Sequence, residues 1–156
     1  MRVLIVYGTQ FGTTERLAID MADSISSLHQ VEVLDARSAR DLGGSGVDML
    51  VVGAPTQFKG HRLLVRAFLR RLAENGYGGV AAAAFDTRAH GDRGSTGSAA
   101  DAIALALSQA GCNLVAPAES FTVAGFRGPL DPGDPERARD WIAGLVRSAH
   151  PARLTA

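Results

Sequence analysis

Short apolar runs alternate along the chain with longer stretches in which apolar residues recur every three or four positions. The short runs are typical of buried strands, and the longer stretches are typical of helices with one buried face. Strands are predicted at residues 3–7, 31–35, 49–52 and 80–85, with a last strand over 114–123 that is interrupted at Pro117. The half-polar pattern of residues 31–35 predicts an outer strand.

The helical pattern covers residues 17–28, 63–72, 99–110 and 138–146. Polar, glycine-rich or proline-rich segments between these elements predict loops at residues 37–46, 86–98 and 127–135. Residues 1–149 form a single predicted domain, and residues 150–156 form a loose tail. Continuous apolar strands separated by helices indicate a parallel sheet that is covered on both faces. The fold class is therefore α/β, with a doubly wound, five-stranded sheet.

Composition narrows the possible functions. The 156 residues carry 16 Lys and Arg against 16 Asp and Glu, so no net charge favours nucleic acid or an anionic membrane. We find no apolar run of about 18 residues, which a membrane span needs, and no pattern of a signal peptide. The single cysteine, Cys112, cannot form an internal disulfide and is expected to be a small buried residue. These features predict a cytoplasmic protein.

Three loops follow strands at the edge of the sheet where ligands of doubly wound folds bind. They are residues 8–14, 54–62 and 86–95, and we expect them to converge on one site. In the first loop, glycines and threonines precede a helix, whose free N–H groups and partial positive charge suit a phosphate. The plainer interpretation is that Thr13 or Thr14 only caps the helix.

Other phosphate-loop and active-site motifs fit the first loop less well. No lysine follows Gly12, as a P-loop requires, and three residues separate Gly8 from Gly12 where the dinucleotide motif has one. A dinucleotide site stays open because Asp35 ends the second predicted strand, where a ribose-binding acid would lie. The loop lacks a phosphatase cysteine, and the first and third strands lack the terminal acids of a receiver domain.

The segment GTQFGTTE, residues 8–15, resembles the FMN-phosphate loop of flavodoxins, in which Ser/Thr-x-Ser/Thr-Gly-x-Thr follows the first strand. Thr9, Gly12 and Thr14 match this pattern, and Phe11 replaces its middle hydroxyl residue. The strand end GAPT, residues 53–56, and the strand spacing extend the resemblance to nearly the whole chain. It implies the strand order 2-1-3-4-5 of a short-chain flavodoxin and noncovalent FMN. The implied cofactor-binding residues are Thr9, Gln10, Phe11, Gly12, Thr13, Thr14, Pro55, Thr56, Gln57, Phe58, Gly60, Asp86, Thr87, Arg88 and His90.

The second and third loops are poor in aromatic residues, although flavodoxins usually place rings there against the isoalloxazine. Phe58 is the only aromatic residue in these loops, and the plane of Arg88 or His90 is a further candidate to stack on the ring. Tyr7 and Tyr77 lie outside the loops, and Trp141 has the spacing of a core residue. With Phe11 in place of a hydroxyl residue, the loop has one hydroxyl donor fewer for the phosphate. A hydrogen bond to a charged group contributes roughly 1.5–3 kcal/mol, so weaker FMN binding is expected.

The second and third loops also carry an excess of basic residues. Lys59, Arg62, Arg88 and Arg93 outnumber Asp86 and Asp92. If these side chains form a rim around the flavin, FMN is expected to be easier to reduce than in a typical flavodoxin. The plainer interpretation is that loop arginines are simply solvated. His61 and His90 are candidate proton donors to the reduced ring.

The sequence thus predicts an FMN-binding redox protein with a redox partner protein, either a reductase or an acceptor. It predicts no metal ligands and no catalytic residue, which favours an electron carrier over a self-contained enzyme. Two alternatives stay open: a small FMN-dependent reductase of quinone type, and an interaction or regulatory module that has lost FMN. The oligomeric state is not predicted.

Overall fold

A parallel sheet lies at the centre of the computed structural model, which describes residues 1–9, 12–56, 59–90, 98–124 and 129–154, with the backbone alone for 59–63 and 150–154. The strands are β1 Arg2–Tyr7, β2 Gln30–Asp35, β3 Met49–Pro55, β4 Ala81–Ala89, β5 Asn113–Leu114 and β6 Glu119–Val123. Their order is β2-β1-β3-β4-β5, and β6 also pairs with β4. The predicted doubly wound sheet and the order 2-1-3-4-5 are confirmed.

The last strand position is shared by two short strands. β5 pairs with Ala81 and Ala82 at the start of β4, and β6 pairs with the end of β4, from Phe85 to Ala89. Pro117 lies between them, where it has no N–H to donate to a ladder. The predicted interruption is therefore confirmed.

Helices cover both faces of the sheet. They are α1 Thr13–Ile25, α2 Ala36–Ala39, α3 Lys59–Arg70, α4 Ala99–Gln109 and α5 Asp134–Leu154. Successive residues of β1 enter opposite core clusters: Leu4 packs with Phe68 of α3, and Ile5 packs with Leu17 of α1 and Ile142 of α5. This alternation is what a strand with two buried faces requires. None of the described helices is long and apolar enough to cross a membrane.

Two predicted loop boundaries are wrong, and the final helix is longer than its predicted pattern. The loop predicted at 37–46 begins with helix α2, because Asp35 caps that turn by accepting a hydrogen bond from the Ser38 N–H at 2.8 Å. α3 starts at Lys59, so residues 59–62 of the predicted second loop are helical. The backbone of α5 is helical to Leu154, beyond the predicted start of the tail at residue 150. The division into a domain and a tail stays a prediction.

The third predicted loop is also shorter than expected, because β4 continues to Ala89. Asp86, Thr87 and Arg88 are strand residues paired with Ser120, Phe121 and Thr122 of β6. Pairing with a strand about 30 residues away in the sequence leaves no local pattern that could predict it.

Gly53 of β3 lies directly beside Phe85, its partner on β4. A Cβ atom built on Gly53 would lie 2.1 Å from the Phe85 ring, which no side chain could accept. The ring fills this space and meets Phe121 and Trp141 edge to face, with centroids 6.2 and 6.0 Å away. A glycine at position 53 is therefore a packing requirement of the sheet.

Candidate functional site

The N-terminus of α1 lies at the carboxyl edge of the sheet. Gly12 precedes the helix with φ 86°, a conformation that favours glycine, and α1 has no side-chain cap among the described residues. Instead, the Gly12 N–H donates to Thr9 Oγ1 at 3.0 Å, which fixes the turn. The N-terminus of a helix of this length carries N–H groups without intrahelical partners and a partial positive charge, which together suit an anion.

Arg16 adds a positive charge to the same turn. Its Nη2 lies 3.3 Å from Thr13 Oγ1, and its Nη1 lies 3.3 Å from the position that a Cβ on Gly12 would occupy. Arg16 is not among the predicted site residues. A signal existed in the sequence, because a cation in the first turn of a helix is electrostatically unfavourable and an anion that binds there would offset this.

Hydroxyl groups join the first predicted loop to the third. Thr14 Oγ1 and Thr87 Oγ1 lie 2.8 Å apart, so one of them donates a hydrogen bond to the other. Both residues are buried, Thr14 at the start of α1 and Thr87 near the end of β4. Of the residues that the resemblance assigns to the site, the structure therefore brings these two into direct contact.

Asp86 joins the second loop to the third. Its Oδ2 accepts hydrogen bonds from Thr56 Oγ1 at 2.8 Å, from Ser98 Oγ at 3.0 Å and from the Ala100 N–H at 3.0 Å. Its Oδ1 is buried and accepts none from the described residues. Thr56 Oγ1 also accepts a hydrogen bond from the Ala99 N–H at 3.2 Å, and the Thr56 N–H donates one to the carbonyl of Thr87. One carboxylate thus ties the end of β3 and the start of α4 to β4, and the three predicted loops converge.

The structure removes two residues from the predicted rim of charges. Asp86 is 0 % exposed and Arg88 is 3 % exposed, so neither belongs to an exposed rim. Their predicted contacts with the cofactor stay predictions. Both side chains are buried because β4 continues through them. Because one acid and one base leave the rim, the predicted basic excess, now Lys59, Arg62 and Arg93 against Asp92, is unchanged. The predicted ease of FMN reduction therefore stays a prediction.

His90 lies just beyond β4, exposed and held by a carboxylate. Its Nε2 is 3.0 Å from Asp131 Oδ1, and Asp131 also accepts a hydrogen bond from the Thr122 hydroxyl. Asp134 Oδ2 accepts a hydrogen bond from the Thr122 N–H at 2.7 Å. Burial raises the pKa of Asp134, but hydrogen bonds from Thr122 and Arg137 outweigh it, so the pKa is lower than usual. The start of the third loop is thereby tied to the segment before α5.

Three other predictions can be compared with the structure. Asp35 caps α2, and the hydrogen bond from the Ser38 N–H lowers the pKa of its carboxyl. The carboxylate that a dinucleotide site would need for the ribose is therefore engaged in capping this helix. Trp141 packs against Phe85 and Phe121, as expected of a core residue. Cys112 is buried, as predicted.

Several predicted site residues cannot be placed. Gln10, Phe11, Gln57, Phe58 and residues 91–97, which include Asp92 and Arg93, lie outside the described residues. Gly60 lies in the first turn of α3 rather than in a loop. The side chains of Lys59, His61 and Arg62 are outside the described part of that helix. Pro55 ends β3 and leads directly into Thr56.

Comparison with solved structures identifies the architecture. The chain superposes on Bacillus cereus flavodoxin 2 with a TM-score of 0.77 at 19 % identity, over 94 % of this chain and 99 % of that one. The chain has the flavodoxin fold. A short-chain flavodoxin associated with a non-canonical PDU bacterial microcompartment gives a TM-score of 0.72 at 22 % identity, over 96 % and 99 % of the two chains.

A flavodoxin, WrbA-like protein from Agrobacterium tumefaciens shares the flavodoxin fold as well, with a TM-score of 0.67 at 20 % identity over 96 % of this chain and 98 % of that one. No protein-family model matches the sequence, and no curated protein does. The likeness is therefore one of architecture, in which α1 begins, as predicted, at the carboxyl edge of the sheet.

Proposed function

We propose that this protein binds FMN noncovalently at the carboxyl edge of its sheet and carries electrons. The observation that carries the proposal is the N-terminus of α1, where the N-cap Gly12 has a positive φ and no side chain to cap the helix, and where Arg16 supplies a cation. The flavodoxin fold of the solved relatives supports it. A cytoplasmic location, a redox partner protein and the individual cofactor contacts belong to the same proposal.

The described residues fit the phosphate end of FMN. The helix N–H groups, the Thr13 and Thr14 hydroxyls and the Arg16 guanidinium would hold the phosphate, and Thr9 would keep the turn in shape. Thr56 and Thr87 would fix the loops on either side of the ring. When bound, FMN supplies the electron chemistry, and the chain's part is to bind it, orient it and set its surroundings.

Titration of the FMN-free protein with FMN, followed by flavin fluorescence, tests the proposal. We expect Arg16→Gln to weaken FMN roughly tenfold, because a hydrogen bond to a charged group contributes about 1.5–3 kcal/mol. Riboflavin, which lacks the phosphate, should bind the variant and the parent protein equally. Arg139→Gln, which removes the cation that pairs with Asp20 on α1, is the matched control and should leave FMN affinity unchanged.

The result that contradicts the proposal is an absence of FMN binding by the parent protein at micromolar concentrations. The protein would then be the interaction module that the sequence leaves open. An equal loss of FMN and riboflavin in Arg16→Gln would leave FMN binding intact as a function but contradict the assignment of the phosphate end.

The pair His90 and Asp131 favours a second candidate, a small FMN-dependent reductase. A carboxylate that orients an exposed imidazole is a common arrangement for proton transfer, and reduction of a quinone takes two electrons and two protons. His90→Gln should then slow steady-state quinone reduction by the FMN-loaded protein and leave FMN affinity unchanged. A one-electron carrier would show no such turnover.

A further inference from the structure

Helix α3 concentrates positive charge in a chain that is neutral overall. Its sequence, KGHRLLVRAFLR, contains Lys59, Arg62, Arg66 and Arg70 and no acid, whereas the whole chain has equal numbers of acids and bases. The rest of the protein therefore carries an acidic excess. Such an asymmetry creates a local field that orients an approaching charged partner.

The two described arginines of this helix are exposed and have no ionic partner. Arg66 and Arg70 are four residues apart, so they are neighbours on one helix face. Neither makes a hydrogen bond or ion pair with any residue that the structure describes, whereas the adjacent Arg71 pairs with Asp41 and Glu74. Like charges at this spacing destabilise a helix slightly, which an acidic partner would reverse.

An apolar cleft of about 380 Å³ lies between α3 and α4, and both arginines line it. Its walls are Val65, Leu69, Ala102, Ile103 and Ala106, and it extends to Ala54. Ala54 is the β3 residue opposite Asp86, two positions before Thr56. The cleft therefore reaches the strand that leads into the candidate cofactor site.

We propose that the α3–α4 face is the docking surface for an electron-transfer protein with an acidic surface around an apolar residue. The inference rests on the proposed function and specifies the partner's chemistry. The acidic groups would pair with Arg66 and Arg70, and the apolar residue would enter the cleft. Electron-transfer complexes are small and short-lived, so a few charges around one anchor suffice to form them.

The test uses two probe proteins of opposite charge: acidic plastocyanin and a basic c-type cytochrome. FMN-loaded protein is photoreduced and mixed with each oxidised probe. Two probe molecules take one electron each, Cu(II) becoming Cu(I) or Fe(III) becoming Fe(II), and the reduced flavin releases two protons as it returns to FMN. The second-order rate constant is measured as a function of ionic strength.

We expect plastocyanin to react faster than the cytochrome at low salt, with a rate that falls as salt is added. Arg66→Glu/Arg70→Glu should slow it at least tenfold, and the difference should vanish above about 0.5 M salt, where screening is nearly complete. Arg147→Glu, a reversal on α5, should change the rate less than twofold. Ala102→Phe, which fills the cleft but keeps the charges, should slow it about threefold with the same salt dependence.

A second readout does not depend on FMN. In the ¹⁵N-labelled chain, Cu(I) plastocyanin should shift the amide signals of Arg66, Ala102 and Ala106, and high salt should abolish the shifts. If the parent chain fails to bind FMN but shows these shifts, the proposed function is wrong and the docking surface stands.

Three results overturn the inference: a faster reaction with the cytochrome at low salt, an unchanged rate in the double variant, or shifts confined to other faces. Dimerisation through this face, or occupation of the cleft by decanoate with no response to plastocyanin, would overturn it as well.

Discussion

Burial decides what individual side chains can do in this protein. Cys112 lies between α4 and β5, where its thiol donates a hydrogen bond to the Tyr77 carbonyl at 3.5 Å, and burial raises the pKa of the thiol. Asp86 and Arg88 are buried too, although acidic and basic side chains usually lie in solvent. A sequence shows that a residue is ionisable, whereas its exposure depends on which strand pairs beside it.

The Cys112 thiol is therefore expected to resist alkylation in the folded protein. Since its pKa is raised, the thiolate fraction at pH 8.5 is below that of a free cysteine, whose pKa is about 8.5. Iodoacetamide labelling followed by mass spectrometry should show little modification in buffer and rapid modification in urea. Labelling of the native protein should increase only at a pH above that needed for the unfolded chain. Equal rates in both states would contradict this.

Among the secondary-structure elements, α4 depends on a carboxylate that belongs to another element. Its first N–H groups are capped by Thr56 of the segment after β3, by Asp86 of β4 and by its own Ser98. The type and order of the helices and strands could be predicted from apolar periodicity. These caps, and the extension of β4, could not, because they join residues that are far apart in the sequence.

Two substitutions at Asp86 distinguish the contribution of its hydrogen bonds to stability from the contribution of its charge. Asp86→Ala leaves the donors of Thr56, Ser98 and Ala100 without their acceptor, and each buried unsatisfied group costs about 1–3 kcal/mol. We expect a loss of about 3 kcal/mol in the free energy of unfolding, measured with urea. Asp86→Asn retains an acceptor oxygen for these donors but places its amide NH2 at the buried Oδ1 position, which has no partner among the described residues, so it should lose about 1–2 kcal/mol, less than Asp86→Ala. Equal losses in both variants would show that the charge, not the acceptor, is what the fold needs.

The whole molecule is one sheet with two hydrophobic core clusters, one on each face. Because neighbouring residues of the same strands supply both clusters, neither half has an independent core. Length and the apolar pattern were enough to predict a doubly wound parallel sheet, and the resemblance to flavodoxins implied its strand order. Thr9, Gly12 and Thr14 lie between β1 and the first turn of α1, as the sequence predicts, and their part in binding stays a proposal. Arg16 was missed because its importance depends on where its guanidinium lies relative to Gly12.

One cooperative transition is therefore expected on heating, and FMN should shift it. A ligand that binds only the folded state, present at 100 times its Kd, adds about 2.7 kcal/mol to the free energy of unfolding. For a chain of this size that raises Tm by roughly 5–11 °C. Scanning calorimetry with and without FMN measures both effects. Two separate transitions would contradict the single cooperative unit, and an unchanged Tm would contradict FMN binding.

The contact between Gly53 and Phe85 has an evolutionary consequence. With an imagined Cβ only 2.1 Å from the ring, a larger residue at position 53 becomes acceptable only after position 85 has become smaller. The two sites must therefore change in a fixed sequence, the aromatic residue first. Homologous chains should accordingly show covariation of this pair, with glycine retained wherever phenylalanine persists.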